Sequence, residues 1–505
     1  MRTSVLDLGS NSFHVLVADL DGHHLSPVMR QREMLHLGRV VARHGTIPPE
    51  HRTAAVATVA HLTGLARRVG AQEHLAVATS ALRDADNGPA VIDALSEAAG
   101  TDVRILDGRT EARLAYLGVR AAVAVRSEPV LVLDLGGGSL EFAVGVGDRV
   151  VWSASTRLGA SRLSALVTRD PVRKRDVRVL TERVDEEIDP LVDVLRSHHP
   201  GTTVAVGGTV RALARIAAVD EAVWLPATLN QLRVSRAELD HLRDDLVARD
   251  LDGRLDVPGM KEQRADHLHV AAIVLTRVLE RLGIAQVTVS DWGLREGILL
   301  DAHGVTGPPG ADDLRSREVE RMRLSFVPDD PHPAHVAHLA AQVFDGTRSI
   351  HGRAERDRGL LEHAAHLHAV GESLALRRQQ QHGAYLVENA ELRGFDPAEL
   401  ALLATLVRFH PSRGIDRRFP PYASLSAADQ ERTRHLLAIL QIADGLDRAH
   451  DQAVTDVTVK LDAATVELHL DGDGLHVTTD ELARRTRLFE RTFDVTVHVH
   501  DQAGG

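Results

Sequence analysis

The 505-residue chain has no cysteine, which excludes disulfides and thiol chemistry. Lysine is almost as scarce: only Lys174, Lys261 and Lys460 are present, so nearly all positive charge is arginine. A GC-rich genome produces the same bias, but its physical consequence stands, because guanidinium forks bind phosphate oxygens two at a time. Apolar runs are short, and none approaches the roughly 20 residues of a membrane span. Met1-Arg2-Thr3 leads straight into a strand-like segment with no signal-peptide pattern, so a cytoplasmic location with no membrane partner is expected. Positive charge is also outnumbered. The net charge of −12 argues against general nucleic-acid binding, and a polyanionic substrate would have to be met by a local cationic groove. Length predicts about three or four domains, each able to bury a core.

What the sequence does contain is one short pattern twice. Asp7 to Ser12 (DLGSNS) follows the apolar Val5-Leu6, and Asp134 to Ser139 (DLGGGS) follows Val130 to Leu133. Each reads as a buried strand that ends in Asp and turns on Gly and Ser. In such turns small residues let the backbone approach a polyanion, successive N–H groups point at phosphate oxygens, and the Asp can hold a hydrated divalent cation. A single copy would be an ordinary turn. Two copies, each followed by another apolar run (Phe13 to Ala18, Leu140 to Val146), predict a duplicated hairpin pair facing one cleft.

The first third alternates strand-like and helix-like segments: strands at Val5 to Leu8, Phe13 to Asp19, Leu75 to Thr79 and Val103 to Leu106, helices at His51 to Val69 and Ala90 to Ala99. That is an α/β pattern. A second α/β unit begins near Pro129, includes the strand Thr203 to Val206, and closes with Val287 to Ser290 and a helix after Gly293. Gly304 to Asp313 (GVTGPPGADD) reads as a linker. Residues 316–450 carry helical periodicity and many histidines, and Val454 to His500 returns to short alternating strands around Asp471-Gly472-Asp473-Gly474.

Six blocks together resemble the exopolyphosphatase / guanosine pentaphosphate phosphatase (Ppx/GppA) family: Val5 to Ala18, Ala78 to Asn87 (ATSALRDADN), Asp107 to Gly118 (DGRTEARLAYLG), Leu133 to Phe142 (LDLGGGSLEF), Gly207 to Leu213 (GGTVRAL) and Ser290 to Leu299 (SDWGLREGIL). The resemblance implies two actin-like (ribonuclease H-like) α/β domains at 1–125 and 126–303, then an all-α HD-like domain at 316–450 and a small α+β tail at 452–505. It also implies Mg²⁺-dependent hydrolysis, with Mn²⁺ as an alternative, of the terminal phosphoanhydride of inorganic polyphosphate, of guanosine pentaphosphate, or of both. Guanosine tetraphosphate is a further expected ligand, and a homodimer is expected.

Phosphoanhydride hydrolysis needs an aligned water, a carboxylate to orient or deprotonate it, and positive charge on the phosphate oxygens. The carboxylate candidates are Glu111 and Glu141. By position Glu111 could equally be a first-turn acid stabilised by the helix dipole; the resemblance makes it the catalytic base. Glu141 lies two residues after Ser139, so the pleat puts both side chains on one face. Asp7, Asp134 and Glu141 are the candidate metal ligands. Phosphate-binding candidates are Ser10, Asn11 and Ser12 in the first turn, and Gly136, Gly137, Gly138 and Ser139 in the second. Thr79, Ser80 and Arg83 follow a buried strand and could bind phosphate or simply cap a helix beside a solvated Arg. Gly207, Gly208 and Thr209 resemble the base- or chain-binding turn of actin-like proteins, with Arg211 as a further phosphate contact. The cluster Arg169, Arg173, Lys174, Arg175 and Arg178 reads as a solvated face, because Asp170, Asp176, Glu182 and Asp185 dilute it.

An HD-type site uses one His, an adjacent His-Asp pair and a distant Asp, which here correspond to His335, His368-Ala369 and Asp444. Ala369 replaces the bridging carboxylate, so poor Mg²⁺ or Mn²⁺ binding and a catalytically inert domain are expected. His363, His366, His382 and His410 could form another metal site or pack as neutral rings. Two other functions share the same loops: a non-catalytic protein that binds polyphosphate or guanosine tetra- and pentaphosphate, and an ATP-dependent kinase or ATPase, against which Glu111 in its motif argues.

Overall fold

The repeated pattern folds as a repeated sheet. In a computed structural model, which describes residues 1–21, 24–125, 128–219, 224–305, 311–462, 464–472 and 479–501, the chain divides into two compact units. The first comprises Met1–Glu221 and Leu229–Leu314, the second Ala222–Thr228 and Arg315–Gly505.

In the first unit, β1 (Arg2–Leu8), β2 (Ser12–Asp21) and β3 (His24–Met34) form an antiparallel meander, and β4 (Glu73–Ala78) and β5 (Val103–Ile105) extend it in parallel, giving the order β3-β2-β1-β4-β5. A second meander, β6 (Val130–Leu135), β7 (Leu140–Val146) and β8 (Arg149–Thr156), is extended by β9 (Thr202–Val206), β10 (Arg233–Ser235) and β11 (Gln286–Val289) in the order β10-β11-β9-β6-β7-β8. With β10 set aside, the two orders superpose strand for strand. The register repeats too: Asp7 pairs with His14 across its hairpin, and Asp134 pairs with Glu141. The central strands β1 and β6 are buried almost throughout, as their apolar runs require.

Helices cover both sheets. α1 (Pro49–Arg68) and α2 (Gly88–Ala99) bury Val59, Leu62, Val91 and Leu95 with Phe13 and Val15 of the first sheet. α4 (Lys174–Ser197) and α6 (Leu268–Leu282) cover the second sheet, where Leu180, Ile188, Ile273 and Leu279 join Leu131 and Phe142. Between the sheets lies α3 (Gly108–Arg120), which turns Leu114 towards Val5, Leu16 and Val77 of the first sheet and Ala112, Tyr116 and Val119 towards Val130, Val132 and Val204 of the second. α5 (Gly208–Val219) follows β9, and α7 (Leu294–Ala302) lies along α3 and packs on β1. The outer strands β3 and β8 and the short β10 had no counterpart in the sequence pattern, because edge strands with exposed polar positions lack a full apolar alternation.

The second unit has one core. α8 (His332–Gly346), α9 (Glu355–Leu367), α10 (Pro397–Phe409) and α11 (Ala427–Leu446) pack Phe344, Leu361, Leu403 and Leu440 together with Val454 of β12 (Val454–Asp462) and Leu468 of β13 (Thr465–Gly472). The helical segment and the strand-bearing tail thus share a core across the boundary expected near residue 452. β14 (Thr496–Asp501) pairs in parallel with β13, and α12 (Thr479–Phe493), the helix of this α+β tail, brings Phe489 into the same core. Residues 306–310 of the expected linker and 473–478 of the expected Asp-Gly turn lie outside the described residues. No helix among the described residues is long and apolar enough to cross a membrane.

The α3–α7 contact admits no side chain. A Cβ on Gly297 would lie 1.8 Å from the Leu114 carbonyl oxygen, and one on Gly118 would lie 2.1 Å from that of Gly293. Gly297→Ala is therefore expected to destabilise the protein by about 1–3 kcal/mol through overpacking, against the gain of about 1 kcal/mol the same change gives in an open helix. A calorimetric unfolding midpoint that rose instead would show that the two helices can part without cost.

Candidate functional site

The two Gly/Ser turns face one another across a cleft of about 560 Å³ in the first unit. Ser10 Oγ lies 2.7 Å from Ser80 Oγ and accepts from the Ala81 amide at 3.0 Å. The opposite turn approaches so closely that a Cβ on Gly138 would sit 2.1 Å from Ser80 Oγ, and one on Gly137 would sit 3.0 Å from the Asn11 Cβ. The glycines of the second turn are thus required by proximity to the first. Gly207 has φ +107°, and a Cβ there would meet the Leu135 carbonyl at 2.8 Å and Asp134 Oδ1 at 3.0 Å. That strand-to-helix turn is therefore set against the second Gly/Ser turn.

Every residue singled out in the turns lines this cleft: Ser10, Asn11 and Ser12 on one side, Gly136 to Ser139 on the other, with Thr79, Ser80, Gly207, Gly208, Thr209 and Arg211 around it. Some of these side chains have partners of their own. Asn11 Oδ1 is 2.8 Å from His36 Nδ1, Ser12 Oγ is 2.8 Å from His14 Nε2, and Arg211 donates to the Asp291 carbonyl at 3.2 Å. Arg83 is not among the lining residues; its guanidinium donates to the carboxylate of Glu111, which does line the cleft, and to the Leu106 carbonyl at 2.6 Å.

Six carboxylates line the cleft, the four sequence candidates together with Asp291 and Glu296. β1 and β6 deliver Asp7 and Asp134, β7 delivers Glu141, and the first turn of α3 delivers Glu111, with Asp107 capping that helix by accepting from the Arg109 and Thr110 amides at 2.9 Å. Burial raises Asp7 and Asp134 to about 6 and Glu111 to about 7, although the adjacent Arg83 pulls Glu111 down. Burial together with Glu111 pushes Glu141 well above the ordinary range, while Ser155, donating at 2.8 Å, opposes this. Crowded, desolvated oxygens of this kind suit a hard cation, so Asp7, Asp134 and Glu141 fit Mg²⁺ or Mn²⁺ in donor type. No three of them lie close enough together to share an ion by themselves.

Cations gather in the same cleft. Arg264, Arg295, Arg30 and Arg32 join Arg211 in lining it. Burial and the neighbouring Arg32 and Arg211 lower Arg264 to about 10. His14 is pushed well below its ordinary value by burial and then by Arg295, Arg32, Arg211 and Arg264, which keeps the ring neutral. This mutual repulsion is what a bound polyanion relieves. These residues were missed. Arg30 and Arg32 share one face of β3, opposite Leu16 and His14 in the register, but that edge strand had no counterpart in the sequence pattern. Arg295 stood inside a quoted motif block; Arg264 lies in the short helix Glu262–Ala265 and had no signal.

The remaining candidates fall elsewhere. Arg169, Arg173, Lys174, Arg175 and Arg178 do not line the cleft, and Arg178 pairs with the exposed Glu182 at 3.5 Å. In the second unit His335 does not join His368 and Asp444; its Nε2 lies 2.7 Å from the Val454 carbonyl, and His332, one helical turn earlier, takes its place. His363 and His366 border a separate pocket beside Glu320 and Glu362, and His382 lies in the helix Gln379–Asn389.

Comparison with known proteins adds the following. The model of the Ppx/GppA phosphatase family matches residues 16–304, and that of Ppx/GppA phosphatase domain III matches residues 314–486. The chain is 33% identical over 308 residues to exopolyphosphatase 1 of Mycobacterium tuberculosis, covering 59% of this chain and 88% of that one. It is 31% identical over 331 residues to exopolyphosphatase 1 of Mycobacterium leprae, covering 64% and 97%. The crystal structure of an exopolyphosphatase from Cytophaga hutchinsonii is similar with a TM-score of 0.55 and 29% identity, over 61% of this chain and 100% of that one.

The buried acids have a consequence for stability. A carboxyl whose folded-state pKa is raised favours folding when protonated; that benefit is complete below the unfolded value near 4 and is lost as pH rises through about 6 for Asp134. In metal-free buffer, Asp134→Asn should therefore melt higher than the parent at pH 8 and converge with it towards pH 4. A variant that melts lower at pH 8 would show that the ionised Asp134 is stabilised where it lies.

Proposed function

The chain belongs to the Ppx/GppA phosphatase family and has the mixed α/β, actin-like fold of that family, and on that premise we propose that it hydrolyses the terminal phosphoanhydride bond of inorganic polyphosphate, of guanosine pentaphosphate, or of both, with Mg²⁺. The observation that carries this reading is the meeting in one cleft of Glu111, two Gly/Ser turns and a set of guanidiniums. The exopolyphosphatases among its relatives support the substrate class.

The terminal phosphate sits between the turns, its oxygens facing the backbone amides of 9–12 and 136–139. Glu111 accepts the proton of a water placed behind the phosphorus; the new P–O bond forms as the bridging P–O bond breaks, and its electron pair leaves with the shortened chain. The leaving chain carries its negative charge along Arg211, Arg264, Arg30 and Arg32. Asp7, Asp134 and Glu141 would hold Mg²⁺, which when bound neutralises charge on the phosphate oxygens. Arg83 acts as a positioning residue that keeps Glu111 partly ionised near neutral pH.

Phosphate release from long-chain polyphosphate and from guanosine pentaphosphate, measured side by side with Mg²⁺ and with EDTA, tests the proposal. Release from neither, with binding retained, would identify a regulatory binding protein instead. Within the active protein, Glu111→Gln should lower kcat by about 10² to 10⁴ with little change in substrate affinity. Turnover at the parent rate would remove Glu111 from the base role. Arg83→Ala removes the cation that lowers the Glu111 pKa, so the acid limb of the pH–rate profile should move to higher pH. An unmoved limb with reduced kcat would make Arg83 purely structural. Asp134→Asn should raise the Mg²⁺ concentration for half-maximal activity, because a neutral amide is a poorer ligand for a hard cation; an unchanged titration would make Asp134 a turn residue.

A further inference from the structure

We propose that His332, His368 and Asp444 form a mononuclear site for a borderline divalent transition ion, Zn²⁺ foremost, inside the second unit. All three side chains are buried. They come from the start of α8, the residue after α9, and the interior of α11, so one ion would tie three helices together.

The hydrogen bonds fix both rings. His368 Nδ1 lies 2.6 Å from the Ala365 carbonyl, which can only accept, so the proton is on Nδ1 and Nε2 carries a lone pair. His332 Nδ1 lies 2.8 Å from Asp447 Oδ2, which leaves its Nε2 a lone pair in the same way. The two Nε2 atoms are 3.0 Å apart. With both rings in these neutral forms no hydrogen lies between them, so two lone pairs face each other and call for a positive centre. Asp444 Oδ1 completes a triangle, 3.9 Å from His332 Nε2 and 3.7 Å from His368 Nε2. The circle through a triangle of sides 3.0, 3.7 and 3.9 Å has a radius of about 2.1 Å, so a point equidistant from the three donors sits at the bonding distance of Zn²⁺ to imidazole nitrogen or carboxylate oxygen.

The outer contacts match a ligand set as well. Asp447 behind His332 and a backbone carbonyl behind His368 are the partners that orient metal-bound imidazoles. Arg485 Nη2 lies 3.1 Å from Asp444 Oδ2 and leaves Oδ1 turned to the rings; its charge opposes a cation, and the two nitrogens must outweigh it. His410 packs edge-on against His368 at 5.0 Å between ring centroids and closes the site on that side. Ala369 supplies no second carboxylate, so the donors are two nitrogens and one oxygen, a set that favours Zn²⁺, Co²⁺ or Ni²⁺ over Mg²⁺.

The full-length protein, stripped with EDTA and dialysed against Co²⁺ or Zn²⁺, should bind one ion per chain, with visible d–d bands for Co²⁺. X-ray absorption at the cobalt edge, which needs no variant, should read two imidazoles. His368→Ala and Asp444→Asn should weaken binding by at least about tenfold, and Asp447→Asn by about 10- to 100-fold, while Glu111→Gln, in the catalytic cleft, keeps it. No stoichiometric binding, a Co²⁺ shell without imidazole, or equal binding by the parent and both ligand variants would overturn the proposal and leave a proton shared by the two rings as the occupant.

Discussion

The catalytic cleft depends on a contact that leaves no room for a methyl group. α3 and α7 lie between the two sheets and touch through Gly118 and Gly297, backbone against backbone. That closeness lets α3 bury one face on each sheet. Its first turn then presents Glu111 to the cleft that receives Asp7, Asp134 and Glu141 from β1, β6 and β7, while Asp291 and the loop and first turn of α7, with Gly293, Leu294, Arg295 and Glu296, complete the same lining. The position of Glu111 is thus a property of packing between the sheets, and capping by Asp107 fixes only its helix.

Charge is sorted within the cleft. Asp7 and Asp134 sit at the ends of buried strands, where desolvation raises them, and the guanidiniums sit on β3, α5, the short helix before α6 and the first turn of α7, where Arg32 and Arg211 oppose Arg264. Each group is unfavourable alone. Under the proposed function, a polyanion accompanied by a divalent cation would satisfy both at once.

The two units then offer contrasting donor sets. The first presents oxygens spread too widely to enclose an ion without substrate. In the second, two nitrogens and an oxygen are already closed around one point, a donor set for borderline and not hard cations. Its ligands were legible only in part. His368 and Asp444 stood out in the sequence, but the choice between His332 and His335 turns on which side of α8 faces α11 and which faces β12, and a three-residue step along a helix does not decide that.

The sequence by itself determined the strand-and-turn repeat, the identity of the four carboxylates and the position of both Gly/Ser turns. It did so because buried strands need apolar runs, tight approaches need glycine, and both requirements are local. Only the tertiary structure decided that Arg83 pairs with Glu111, that Arg30, Arg32, Arg264 and Arg295 line the cleft, and that the tail shares a core with the helices before it. Those outcomes depend on which surfaces meet across long separations in the chain. A guanidinium on an edge strand or in a loop has the same local pattern whether it faces solvent or a cleft.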